Sequence, residues 1–530
     1  MAMQTMRRNY GARDWSKFAV YGFGGGLNIK SGPQELADNE LTVAVNVYLR
    51  TDGMLEMRKG ITKHATSLSA TPIQGLFRFY QQVVSGAPVA VSAVTLAQVG
   101  GTMFNLDTAV QIGATNALGA TAQPWSAVRI FDPAHSSGTD VLVICTGSGG
   151  PYLYDGTTIS TPAAWSSVAG ARWCQAVNGI LWFGGIPTQP NLLVGAQVGY
   201  PETLPATNTF AVSKPVVGMG IIGFAPQASL VVGFETGFSV ISGVGPLNFY
   251  EQEIPSSDGV AAPRSMLSVD GALYFIGTTS IYRFDGTSLP QPIGIKVEPW
   301  VQNDALAPDF PMNGNRTLSW AFYYNRRVHF VYDSGGVGHC NTMLVWDLLS
   351  QGWTVLSGIG AAMNCAVLLD APGDPDPHAV IIGSASSGQA YNWDVYNGTG
   401  QDVDDDGTVI SSSFITKYFK IGQPGVNKRL KRVYIEIFAE TFGGAFFADT
   451  DYGANSSGSV VPVIGQGGAI WDSSTWDSGV WGGGALTFVK QRFDADLTFE
   501  ALAFGIQTND KNPPYRFQGT SGEFVMEAEA

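Results

Sequence analysis

Charge is scarce in this sequence of 530 residues: Asp, Glu, Lys and Arg together make up 14%, against about 25% in an average globular chain. Lys and Arg number 29 against 43 Asp and Glu, a net charge of −14. Nucleic-acid affinity comes from Lys and Arg neutralising phosphates, so this balance argues against a protein that grips DNA or RNA. It is compatible with a wall that DNA slides past. Cysteine is rarer still. Cys145, Cys174, Cys340 and Cys365 stand far apart with no CxxC pair, and reduced, mostly buried thiols are expected. No apolar run reaches the roughly 18 residues of a membrane-spanning helix. The opening Met1 to Arg8 has no apolar core or cleavage site, so no signal peptide is expected, and the chain reads as made in a cytoplasm and soluble.

Chemistry-bearing patterns are equally sparse. His64, His135, His329, His339 and His378 show neither HExxH nor paired-ligand spacing, and read as isolated structural histidines. GxSxG is absent, and no carboxylate pair has a diagnostic context. The expectation is a chain without enzymatic activity or bound cofactor.

What the sequence has is glycine, 66 residues of it, with 29 Phe, 19 Tyr and 13 Trp. Low charge with many turn formers and aromatics suits short strands, not helices. One pattern recurs: an apolar strand, a Gly-rich turn, then a strand ending in an aromatic and often Asp. Val141 to Cys145 returns as Tyr152 to Asp155. Ala272 to Ile276 returns as Ile281 to Asp285, and Val380 to Gly383 as Ala390 to Asp394. With looser copies, the hairpins end near residues 107, 155, 194, 241, 285, 347 and 394. A repeat of about 40–50 residues with a hairpin in each is the spacing of four-stranded propeller blades. The sequence therefore predicts an all-β chain in three stretches. Residues 1–70 form an N-terminal arm with the first strand or strands, 71–400 a β-propeller of about seven (six to eight) blades, and 401–530 a C-terminal β-sandwich.

Four segments are candidate sites or their look-alikes. Gly22 to Leu27 resembles a dinucleotide loop, but Leu27 stands where the third glycine belongs and no helix pattern follows, so it reads as a turn. Asp402, Asp404 and Asp406, followed by Gly407, match the first half of a calcium loop. Ser413 occupies the twelfth position, where Glu would close it, and the alternative is an acidic hinge. Trp471, Trp476 and Trp481 recur every fifth residue. They serve either as core and turn residues or as a row of indoles for sugars. Asn427 to Arg432 is the densest basic run, either a solvated strand start or a contact for an acidic neighbouring subunit.

Phe23-Gly-Gly-Gly-Leu-Asn28, Pro33, Leu36, Asn46-Val-Tyr48 and Gly53 to Gly60 resemble the opening of the tail nozzle or hub proteins (tail tubular, DNA-stabilising) of short-tailed bacteriophages. The strand Ile410 to Lys420 and the Trp-Asp hairpin at 471–481 resemble C-terminal regions of the same family. The resemblance implies a structural protein of the virion tail that forms a homo-oligomer, typically a hexameric ring, below the portal and head–tail adaptor. It would extend the DNA channel, retain the packaged genome until ejection, and carry tail fibres or a spike, with no membrane insertion. It implies no catalytic residues. An arm at the N-terminus suits ring assembly by strand addition to a neighbour. The other reading weighed is a carbohydrate-binding or carbohydrate-cleaving propeller with sugars on Trp471, Trp476 and Trp481.

Overall fold

A computed structural model describes residues 15–81, 93–119, 125–135, 138–243, 245, 248–286, 288–371, 374, 379–396, 403–423, 425–439, 442–451, 455–459, 487–511 and 514–526. The chain is all-β: among these residues one α-helix occurs, Glu298–Val301. It divides into two compact units that interleave along the sequence. One comprises Met1–Thr62, Met343–Gly360 and Asp394–Ala530; the other comprises Lys63–Thr342 and Ala361–Trp393. The sequence reading had three consecutive stretches instead.

The second unit is a β-propeller. Its first five blades are four-stranded antiparallel sheets that begin with Ile73–Tyr80, Ser126–Asp132, Trp173–Val177, Gly218–Ile222 and Leu267–Val269. The sixth blade begins with Trp320–Tyr324 and Arg327–Tyr332, and the seventh with Met363–Leu368 and Val380–Ser384. The first two strands of several blades are joined by two-residue turns with both φ angles positive: Gly100–Gly101, Asn178–Gly179, Asp270–Gly271 and Asn325–Arg326. Such turns match the right-handed twist of the strands they connect, which is why Gly and Asn recur there.

A lone blade has two apolar faces and buries neither, so neighbours supply the cover. Five of the contacts between adjacent blades each hold an apolar cluster among the described residues. Val143, Leu153 and Trp165 of the second blade pack with Leu181, Phe183 and Val194 of the third. Trp182 and Leu193 continue to Leu230 and Val232 of the fourth. Ile73, Leu76 and Ala97 of the first blade meet Cys365, Ile381 and Ala390 of the seventh, which closes the ring. Fully burying a Leu, Val or Phe contributes roughly 1.5–3 kcal/mol, so each seam is a substantial local core.

The first unit is a β-sandwich built from both ends of the chain. One sheet holds Lys428–Ala439 between Thr487–Phe499 and Arg516–Met526, all antiparallel. Along the other side of Arg516–Met526 run Ser16–Tyr21 and Leu55–Met57, the latter paired to Val47–Leu49. The other sheet holds Glu40–Val45, Thr408–Thr416, Leu502–Asp510 and Gly444–Thr450. Strand alternation turns Phe18, Phe517 and Phe524 of one sheet and Phe414, Phe446 and Phe504 of the other into a common core. Phe18 stacks on Phe504 with centroids 5.4 Å apart, and Phe414 meets Phe517 at 4.7 Å. The N-terminal arm thus enters its own chain's sandwich from Ser16 onward, with Ser16 opposite Phe524 and Tyr21 opposite Gly519.

The glycine run at 22–26 has a steric purpose. A Cβ on Gly26 (φ +64°) would lie 2.6 Å from the backbone N and O of Trp353, against which Gly26 pairs in parallel. Only glycine permits that approach, and the segment is a backbone contact, not a phosphate loop.

Candidate functional site

Two places in the propeller unit collect chemistry-bearing side chains. The first is a cavity of about 210 Å³, walled by the opening strands of the first, second, sixth and seventh blades. Gln74 and Phe77 come from the first blade, Trp125 from the approach to the second, Trp320 from the sixth and Cys365 from the seventh. Arg264, on the short turn Pro263–Ser265 that precedes the fifth blade, completes the wall. Its guanidinium donates to the Asn364 carbonyl at 2.8 Å. Burial lowers its pKa, an effect partly opposed by Cys365 and Cys340. The cavity's lining includes no Asp or Glu among the described residues. Indoles, a guanidinium and the Gln74 amide, whose oxygen has no partner among the described residues, suit a flat, polar-edged ligand.

The second place is on the connections between strands of the second and third blades. Asp132 ends the strand Ser126–Asp132, and the turn that follows carries His135. Glu202 lies in the bend after Leu192–Gly195, and Asp155 in the turn after Tyr152–Tyr154. His135 Nδ1 is 2.9 Å from Glu202 Oε1, and Nε2 is 3.3 Å from Asp155 Oδ2. Asp155 Oδ1 accepts the backbone N–H groups of Thr157 and Thr158 at 2.8 and 2.7 Å. Asp132 is fully buried; Oδ1 accepts the Ala134 N–H at 2.9 Å, and Oδ2 has no partner among the described residues. One ligand atom each from Asp132, His135 and Glu202 lie within 4.8 Å of one another.

Electrostatics follow the geometry. Burial, assisted by the Glu202 charge, raises the Asp132 pKa. Burial opposes protonation of His135, but its hydrogen bonds to Glu202 and Asp155 outweigh that and raise its pKa. His135 is therefore not the isolated histidine the sequence suggested. The one local signal is an Asp three residues before it; Asp155 and Glu202 arrive only through the fold.

Asp404 and Asp406 lie in the sandwich unit, and Asp402, like His378, is outside the described residues. Asp404 is buried, accepts the Gly407 N–H at 2.7 Å and stands 3.5 Å from Lys511 Nζ. Asp406 is exposed, with φ +49°. Asp405, between them, carries the strongest interaction of the segment. Its carboxylate takes Arg58 in a bidentate ion pair with both side chains fully buried, at 2.8 Å from Nη1 and 2.5 Å from Nη2. Arg58 Nε donates to Asn46 Oδ1 and Nη1 to the Lys59 carbonyl, each at 3.0 Å. Asn46 in turn donates to the carbonyls of Ser357 and Ser411.

The basic run at 427–432 is engaged within its own sheet. Arg429 and Lys431 pair with Asp496, and Arg432 with Glu523 and Asp494. Trp471, Trp476 and Trp481 lie outside the described residues.

No family model matches the chain, and no curated protein matches it. Among solved structures it is similar to the exo-β-1,3-galactanase of Phanerochaete chrysosporium with β-1,3-galactotriose, at 9% identity and a TM-score of 0.24. The match covers 75% of this chain and 95% of that one. The expectation of a chain without enzymatic activity is withdrawn, since the similar structure is that of a carbohydrate-cleaving enzyme, but at this score the likeness assigns no activity to this chain. The score is too low to transfer that enzyme's site or substrate to these residues.

Proposed function

We propose that the chain is a tail hub or nozzle subunit of a short-tailed bacteriophage. Copies would assemble as a ring, on the family pattern a hexamer, below the portal and head–tail adaptor. The ring would extend the DNA channel and carry tail fibres or a spike. What supports this reading is the fate of the residues on which the resemblance rests. Phe23, Leu27, Asn46, Tyr48 and Arg58 are all buried in the sandwich unit, and Asn46 and Arg58 meet Asp405 in one hydrogen-bonded knot. A shared motif built into the framework, not onto a surface, is what a common architecture requires. The scarcity of Lys and Arg supports passage of DNA without adhesion, since phosphate contacts would hold it.

The test is the mass in solution by light scattering, with and without a portal–adaptor complex. A ring, or a monomer that becomes a ring on the adaptor, is expected. A strict monomer that ignores the adaptor overturns the reading.

The second reading is a carbohydrate-binding or carbohydrate-cleaving propeller. The cavity walled by Trp125, Trp320 and Arg264 favours it, because sugars present apolar faces and hydroxyl edges that indoles and guanidinium groups match. A glycan screen with Trp125→Ala, Trp471→Ala, Trp476→Ala and Trp481→Ala distinguishes the cavity from the Trp row. Loss of binding in none of the four would remove both as sugar sites.

A further inference from the structure

We propose that Asp132, His135 and Glu202 form a site for a divalent cation of the zinc or manganese type, which ties the second propeller blade to the third. The carrying observation is Asp132. Its side chain is fully buried, yet Oδ2 has no hydrogen-bond partner among the described residues. A buried carboxylate oxygen left unpaired loses its hydration without recovering a hydrogen bond, and one ligand atom each of His135 and Glu202 lies within 4.8 Å of one from Asp132.

Geometry and chemistry agree with an ion there. Ligand atoms around a cation at about 2.1 Å stand roughly 3–3.5 Å apart. The His135 Nδ1 to Glu202 Oε1 distance is already 2.9 Å, and all three ligand atoms lie within 4.8 Å. Glu202 is 35% exposed at its side chain, so it has room to rotate inward. One imidazole with two carboxylates suits zinc or manganese better than the all-oxygen shells preferred by calcium and magnesium. With a cation on Nδ1, the Nε2 proton points at Asp155, 3.3 Å away. Metal-ligating histidines usually donate their second N–H to such a carboxylate, which fixes the tautomer. Asp155 is itself held by the Thr157 and Thr158 N–H groups, and acts here as a positioning residue. The competing arrangement is a protonated His135 bridging Glu202 and Asp155 by ion pairs alone; it leaves Asp132 Oδ2 unexplained.

Direct metal binding decides between them. The full chain, without an affinity tag and stripped with chelator, is titrated calorimetrically with Zn²⁺, Mn²⁺ and Ca²⁺ in separate runs, and its thermal midpoint is followed. The expected result is one ion per chain for Zn²⁺ or Mn²⁺, with a rise in the midpoint that chelator reverses. Asp132→Asn and His135→Gln abolish that binding, and Asp155→Asn weakens it about 10–100-fold. Glu202→Gln, at a partly exposed position, keeps the test valid if the buried variants do not fold; it too should lose the ion. No binding of Zn²⁺ or Mn²⁺ at millimolar concentration overturns the proposal. So does binding that survives Glu202→Gln and His135→Gln, or binding of Ca²⁺ alone.

Discussion

Replacing Asp405 with Ala should cost the sandwich unit about 3–5 kcal/mol, the usual penalty for breaking a buried ion pair by removing one partner. Arg58 is fully buried and gives Asp405 a bidentate pair. Without the carboxylate, Nη2 loses its carboxylate acceptor, while Nε and Nη1 still donate to the neutral oxygens of Asn46 and Lys59. Total stabilities are about 5–15 kcal/mol, so a large part of the unit's stability is at stake. The double variant Arg58→Met, Asp405→Leu removes both charges. It should recover to within about 2 kcal/mol of the parent, because the desolvation penalty disappears with the pair. Urea-dependent amide exchange, read on peptides covering Lys428–Ala439 and Arg516–Met526, isolates the sandwich from the propeller. A single-variant effect below about 1 kcal/mol, or a double variant as damaged as the single one, would refute this reasoning.

Two other tests use the propeller unit. His329 is fully buried, stacked on Phe322 at 4.5 Å, and burial first and Arg327 second push its pKa down to about 3. The unfolded chain, near 6.5, then binds the extra proton first. Stability from this group is present above pH ~6.5 and is lost towards pH 3, at up to about 1.4 kcal/mol per pH unit. His329→Phe should flatten the acid slope of urea midpoints between pH 6 and 4; an unchanged slope sinks the assignment. All four cysteines are free and buried, with burial pushing Cys340 and Cys365 up to about 12. Ellman's reagent at pH 8 should find no thiol in the native chain and four after unfolding; any fast native reaction contradicts the packing.

Much of the propeller was legible because its signals are local. A Gly-containing turn between an apolar strand and an aromatic one names a hairpin within about 20 residues, and strands lie at each expected place, from Thr102–Asn105 to Ala390–Val395. The parts that escaped depend on pairing across the chain. Arg58 and Asp405 are 347 positions apart, and His135 and Glu202 67; no spacing rule connects them. The acidic segment was noticed for alternate carboxylates at 402, 404 and 406. Yet the short strand Asp404–Asp405 holds Asp405, the residue passed over, against Arg58, and the turn that follows leaves Asp406 in solvent. The glycines at 22–26 were recognisable as a turn, but the reason for Gly26, the Trp353 backbone beside it, was not.

The pairing of Ser16–Tyr21 with Arg516–Met526 also sets an order of events on the ribosome. The strand Ser16–Tyr21 is made about 500 residues before the strand it pairs with, Ser16 lying opposite Phe524. At about 5–20 residues per second the wait is roughly 25–100 s. The intervening blades meet neighbours close in sequence and can form meanwhile. Until Arg516–Met526 leaves the exit tunnel, Phe18 and Val20 lack the strand they pair with and stay available to chaperones. A nascent chain stalled with Arg516–Met526 still inside the tunnel would carry a formed propeller and an open seam. The emergence of Arg516–Met526 sets when this side of the sandwich can close.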